Sequence, residues 1–407
     1  MKKSILTLLG PGLLFAGAAI GVSHLVQSTR AGADYGFGLL WALLIVHIFK
    51  YPFFQYGPRY AAATGETLLD GYKKLGTHFL TIYYLLNFAT MFTIQAAVTI
   101  VTASLASHLF NVTNDLVVWS LIITVVSILI LGIGKYKLLD NVMKYIIIAL
   151  TVSTLIAVNI ALFTTDKGFS YQQILPSGTA QITFLIAFLG WMPAPLDISI
   201  WHSLWSVEKN KATLENIKPK QAVFDFNVGY LGTLFLGVCF VMLGALVMYQ
   251  SGESFSNKGS IFAAQLIKLY TNNLGDFSHI IIGIAAFTTM FSTTLTTLDA
   301  SPRAMTKASE LLFKRKKIKL GYWFWILFLA VGTYIILKYF LADMGFLVRV
   351  ATILSFLTAP FYAILNYMLI SGKHTPEKYR PSLPLKILSI TGIVFLIGFS
   401  IWFLLNL

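Results

Sequence analysis

Eleven apolar runs constrain this chain more than anything else in it, each being close to the ~20 residues that carry a helix across a bilayer. They fall at roughly 5–29, 36–57, 78–108, 115–134, 142–164, 180–205, 222–250, 277–300, 321–341, 346–371 and 385–406. Hydrocarbon offers no hydrogen bonds, so a crossing segment must satisfy its own backbone, and runs of this length read as helices. Composition agrees: 57% of the 407 residues are hydrophobic and 11% charged, with mean hydropathy +0.76, against about 25% charged in a soluble domain. The expected fold class is an all-α polytopic membrane protein, one transmembrane domain over 1–407.

The net charge of +14 could point to nucleic acid, but most of the basic residues sit in the links between apolar runs. There they act as topology signals, so the expected surroundings are lipid and no nucleic-acid partner is expected. With the amino terminus inside, twenty-four of the 30 Lys and Arg fall on the inner side, Lys50 and Arg59 among them. Arg30, Lys167, Lys258, Lys268, Lys338 and Arg349 fall outside. An odd number of crossings then places the carboxyl terminus outside, in a plasma (inner) membrane. The run Lys314-Arg315-Lys316-Lys317 reads as a cytoplasmic anchor. Met1-Lys2-Lys3 resembles a signal-peptide start, but Gly10-Pro11-Gly12 interrupts the run and no cleavage pattern follows, so it is read as a retained first span. Cys239 is the single cysteine, and no Cys/His cluster has zinc spacing, so neither a disulfide framework nor a cofactor is expected. No phosphate loop, zinc-protease pair or nucleophile elbow is present; an enzyme is not expected and no catalytic residue is assigned.

Two runs carry interruptions at mid-depth, where polar groups are costly. In the first, Gly21-Val22-Ser23-His24 is followed by Gln27. Glycine permits unwinding, which frees carbonyls as ion ligands. His24 could titrate or bind a metal, or be a histidine held between helices by a hydrogen bond. In the sixth, Trp191-Met192-Pro193-Ala194-Pro195-Leu196-Asp197 holds two prolines, each of which removes a backbone donor. An intramembrane carboxylate such as Asp197 is a functional candidate by default; its other reading is a cap on the following half-helix. Met192 is a possible soft ligand, and His202 lies a turn and a half beyond Asp197. The two breaks are expected to face each other, with Gly21, Ser23, His24, Gln27, Met192, Pro193 and Asp197 around a substrate and His24 and Asp197 as metal ligands.

The eighth run is dense in hydroxyls, from Thr288 to Thr297. Ser292, Thr293 and Thr296, with His202, form a possible coupling or second-ion site; such hydroxyls otherwise bond back to their own helix. Asp299 can pair with Arg303. Gln95 and Asn366 suit interhelical hydrogen bonds. Breaks in the first and sixth spans suit a five-plus-five inverted repeat, about 5–164 and about 180–371, with an extra helix at about 385–406.

Gly10-Pro11-Gly12-Leu13-Leu14 and Gly36-Phe37-Gly38-Leu39-Leu40-Trp41 resemble the opening of the Nramp family of proton-coupled divalent-metal transporters. Arg59-Tyr60, the stretch Ala63 to Asp70, Asp225 and Ala359-Pro360-Phe361 are similar to it as well. The resemblance implies a leucine-transporter-like fold and a transport role. Departures accompany it. Where the family has Asp-Pro-Gly-Asn, this chain has Gly21-Val22-Ser23-His24, with His24 at the ligating asparagine. Met192-Pro193 matches the family's Met-Pro-His, but Ala194 replaces the histidine; aligned on His202-Ser203 instead, Asp197 takes that histidine's place. The acidic residues of the family's third helix are neutral here, around Met91 to Gln95. The resemblance therefore does not carry over manganese, iron or proton coupling.

Three readings follow. The first is a secondary active transporter that moves a cation, a divalent metal ion foremost, by alternating access. The second is a sodium- or proton-coupled transporter of a small organic solute. The third is a sensor or scaffold that does not transport.

Overall fold

The computed structural model describes residues 10–164, 170–213, 217–251, 254–274, 278–314, 320–340 and 344–406. The amino-terminal lysines Lys2 and Lys3, Lys167, and Arg315 to Lys317 of the basic run lie outside the described residues. Fourteen α-helices are described and no strand. Pro11–Ala19 (α1), a π-helical turn Val22–Ser28 and Thr29–Tyr35 (α2) make the first span. Leu40–Thr64 (α3), Leu68–Leu75 (α4), Thr77–Phe110 (α5) and Leu116–Thr164 (α6) follow. The second half comprises Thr179–Trp191 (α7), Ile198–Thr213 (α8), Pro219–Val247 (α9), Gly259–Leu274 (α10), Ser278–Leu312 (α11), Gly321–Phe340 (α12) and Met344–Ser371 (α13), and Leu383–Leu405 (α14) ends the chain.

The first span lies at the centre: 94% of its apolar window is buried, against 22% for the start of α6 and 28% for α14. The peripheral helices turn Leu121, Leu129, Val394 and Ile401 outward, the side chains a lipid solvent accepts. Span seven (α9) lies flush along the first span because glycines remove the side chains between them. A Cβ on Gly229 would come 2.1 Å from the Gly12 carbonyl oxygen, and one on Gly244 would come 2.2 Å from that of Thr29. Small residues are what permit such approach between membrane helices. Asp225 then accepts from the free amides of Gly10 and Gly12, at 3.0 and 2.9 Å, at the positive end of α1 where a carboxylate is favoured.

Three expectations are corrected. Residues 30–35 were expected as a link, but Thr29–Tyr35 is helical and the turn comes at 36–39, where Gly36 takes φ +58°. The link between the fourth and fifth runs stays helical, giving one 49-residue element; the link holds no proline to break it. A straight helix of that length would exceed ~70 Å, more than twice the hydrocarbon thickness. The helix holds two apolar parts, 116–133 and 147–163. Finally, α10 lies where only a loop was expected: its Phe262, Ala263, Leu266 and Ile267 form a buried stripe, which the flanking polar residues hide in a hydropathy reading.

Candidate transport site

The first break is short. Ile20 N–H still donates to Ala16 O at 2.7 Å, but Gly21 N–H turns back to Ala19 O at 3.0 Å and His24 N–H bonds Gly21 O at 3.1 Å. Gly17 O and Ile20 O thereby lose the donors a regular helix would give them. Thr293 of α11 fills the gap: its Oγ1 is 3.2 Å from Gly17 O, 3.4 Å from Ile20 O and 3.2 Å from its own Thr289 O. One hydroxyl proton cannot serve three carbonyls, so this oxygen cluster keeps spare lone pairs. Gly21 allows it, since a Cβ there would come 2.5 Å from Thr293 Oγ1. Ser292 and Thr296, expected beside Thr293, instead donate to Thr289 O and Ser292 O on their own helix, both at 2.7 Å.

His24 does not face the second break. Its Nδ1 lies 2.7 Å from Ser23 Oγ and 3.1 Å from Ala19 O, and its Nε2 lies 2.9 Å from Thr233 O on α9. Both ring nitrogens are engaged by its own turn and by span seven. Ser23 Oγ donates to Ala19 O at 2.5 Å. Gln27 is also set apart: with Arg30, Asn257 and Arg349 it lines another cavity of about 80 Å³.

At the second break, Met192 N–H to Phe188 O at 3.1 Å is the last bond of α7, and the Met192–Pro193 peptide is cis. Pro193 has no N–H for Leu189 O, four residues back. A side chain from α3 supplies one. Lys50, wholly buried, donates from Nζ to Leu189 O at 2.7 Å, Gly190 O at 2.7 Å, Met192 O at 3.0 Å and Ala194 O at 3.3 Å. Its assignment to the inner surface is thus corrected: it is an interior cation. The overlooked signal was a charge inside an apolar run, which marks function in a membrane helix.

Asp197 immediately precedes α8 and is buried; the Ile198 N–H donates to Pro195 O at 3.2 Å. Asp197 Oδ1 has no hydrogen-bond partner among the described residues. Asp197 is interior, at 4% exposure, while the Ser199 and Ile200 amides donate to Leu196 O and to the Asp197 backbone carbonyl rather than to its carboxylate. His24 and Asp197 are not brought together, and no group of three His, Cys, Asp or Glu among the described residues could hold a metal ion. Met192 is buried, with its sulfur 3.8 Å from Ser28 Oγ of the first span. His202 stacks on Phe15 at 5.8 Å and lines a separate cavity with Asn210 and Asp225; neither ring nitrogen has a partner among the described residues.

The breaks nevertheless meet. Ala18, Ala19, Val22 and Ser23 of the first face Trp191, Pro195, Ile198 and Trp201 of the second, with Thr293 and Thr297 from α11, around a cavity of about 20 Å³. That is room for about one water. Trp191 is fixed by its indole N–H donating to Ser355 Oγ at 2.8 Å, while the buried Trp201 Nε1 has no partner among the described residues. Gln95 ties α5 to α11, accepting from Thr297 at 2.7 Å and donating to Thr294 O at 3.3 Å.

Comparison with known proteins bears on this arrangement. A profile of the Nramp family, described as natural resistance-associated macrophage protein-like, matches residues 12–406. An uncharacterized protein of Pasteurella multocida is 37% identical over 403 residues, 97% of this chain and 91% of that one. The metal transporter Nramp5 of Oryza sativa subsp. japonica is 24% identical over 306 residues, 72% of this chain and 56% of that one. Among solved structures, the manganese transporter of Eremococcus coleocola superposes with a TM-score of 0.70 at 14% identity, covering 100% of this chain and 96% of the other. MhsT in complex with L-phenylalanine gives 0.67 at 12% identity, covering 98% and 99%. The fold is leucine-transporter-like.

Proposed function

The chain belongs to the Nramp family, and on that premise we propose that it is a secondary transporter moving a cation, a divalent metal ion foremost, by alternating access. One repeat, about 5–164, moves against the other, about 180–371, in a plasma (inner) membrane with the amino terminus inside and the extra helix at about 385–406 to one side. The observation that carries the reading is the meeting of two broken helices at one small central cavity, the arrangement in which discontinuous helices bind substrate. Thr293 lines that cavity, and its Oγ1, with Gly17 O and Ile20 O that it contacts, supplies neutral oxygen there. Hard cations that keep part of their water shell suit such donors. Uptake of magnesium, manganese, iron and zinc into proteoliposomes tests this. Saturable uptake of one of them, reduced at least tenfold by Thr293→Ala, is the expected result. No uptake of any of the four under any gradient overturns it.

A second reading has its own observation. The cavity wall is largely apolar and carries two tryptophans, Trp191 and Trp201, a lining suited to an organic solute, with the Thr293 oxygens then serving a coupling sodium ion. Thermal-shift screening of amino acids and organic acids with and without sodium separates the two. A sodium-dependent gain with an organic solute favours the second.

A further inference from the structure

We propose that the carbonyl ring opened by Pro193 is a monovalent-cation seat and that the Lys50 ammonium is its resident occupant, so this break is held without an ion from solution. The inference concerns the second break and stands whichever substrate is carried.

Three features support it. The first is origin: the ring consists of acceptors a helix end leaves unserved, and Pro193 accounts for Leu189 O in particular. These oxygens sit at the carboxyl end of α7, where the helix dipole is negative. The second is geometry. Four oxygens surround Nζ: Leu189 O and Gly190 O at 2.7 Å, the length of charge-assisted hydrogen bonds, with Met192 O at 3.0 Å and Ala194 O at 3.3 Å sharing the third proton of the ammonium. The third is charge. A fully buried cation is costly unless it is paired and hydrogen-bonded; the four carbonyls supply the hydrogen bonds, and the buried Asp197 follows the same break in sequence.

Two consequences follow. The freed carbonyls at Leu189 to Ala194 are not available to cargo, which leaves the Thr293 side of the cavity for it. The tether also joins α3 to the broken span, so movement of the break is coupled to α3.

The test is replacement of the tethered cation by a free one. Purified Lys50→Ala is melted at equal ionic strength in methylammonium and in choline, which has no N–H to donate. The expected result is a melting temperature several degrees below the native protein in choline and largely restored in methylammonium, with no such difference for the native chain. Equal melting of Lys50→Ala in both salts overturns the proposal. Lys50→Met, which keeps the aliphatic stem without the charge, is expected to melt low in choline as well; native-like melting overturns the proposal too. Should neither variant accumulate, reductive methylation of the native protein followed by mass spectrometry decides. Lys50 unmodified while Lys73 and Lys74 are modified supports the seat; Lys50 modified as fast as they are refutes it. None of these readouts involves substrate, so they fail independently of the transport assay.

Discussion

The ammonium of Lys50 lies 2.7 Å from the carbonyl oxygen of Leu189, the oxygen that Pro193 deprives of its helical donor. A residue of the second span thus completes the backbone of the sixth, and Asp197 completes the charge. Asp197→Asn is accordingly expected to destabilise the protein. Breaking a buried pair by removing one partner costs about 3–5 kcal/mol where the remaining charge has no other support. The ammonium keeps its carbonyls here, so a loss below that range is expected. Adding Lys50→Met to Asp197→Asn should then cost less than the sum of the single changes by at least ~1 kcal/mol. Melting of all four proteins in one detergent measures this, and strict additivity would show that the two charges are not coupled.

The contrast within α11 gives a second expectation. Thr293 reaches across to Gly17 O and Ile20 O, whereas Ser292 and Thr296 bond their own helix. Thr293→Ala should reduce uptake at least tenfold and stability by only about 1–2 kcal/mol. Thr293→Ser should retain most uptake, and Ser292→Ala and Thr296→Ala should stay within twofold of the native rate. Equal loss at all three positions would mean that the hydroxyls act through helix shape alone.

How much of this was legible beforehand follows from the physics of each feature. Span positions could be read because bilayer thickness dictates helix length, and the breaks could be read because Pro193, Pro195 and Gly21 act locally. Pairing of Asp299 with Arg303, now seen at 2.8 Å, followed from their i, i+4 spacing. The destination of Lys50 could not be read, because the fold alone decides whether a lysine in an apolar run reaches an interface or another helix. For the same reason the sequence placed His24 and Asp197 together: each lies at a break, but His24 turns to Thr233 O of α9. The helix α10 was hidden because its buried stripe has helical spacing inside a polar segment too short to span.

His24 gives a third expectation. It joins the π-helical turn to Thr233 O across 2.9 Å, so its contribution is to hold span one against span seven. His24→Ala should lower the melting temperature, with the loss of a buried interhelical bond costing about 1–3 kcal/mol. Among metals that are carried, the ratio of uptake rates should be unchanged. A selective loss of the transition metals relative to magnesium would instead reveal a ligating imidazole.

Close approach of backbones sets the last expectation. Gly57 of α3 faces the start of α8, where a Cβ would come 2.2 Å from the carbonyl oxygen of Ser199. A backbone atom cannot swing aside as a flexible side chain can, so Gly57→Ala must push α3 and α8 apart, a change of the overpacking kind that costs about 1–3 kcal/mol. The same displacement would weaken the contact of Asn366 Nδ2 with Ser199 Oγ, now 2.9 Å, and with Phe53 O, now 3.2 Å. Gly398 of α14, with nothing within 4 Å of an added Cβ, is the matched control, and Gly398→Ala should melt like the native protein. The separation also shifts Lys50 relative to Leu189 O, since both contacts belong to α3. Gly57→Ala should therefore raise the reductive methylation of Lys50 above the native level, while Gly398→Ala leaves it unchanged; equal labelling in both variants would show that the α3–α8 contact does not position the ammonium.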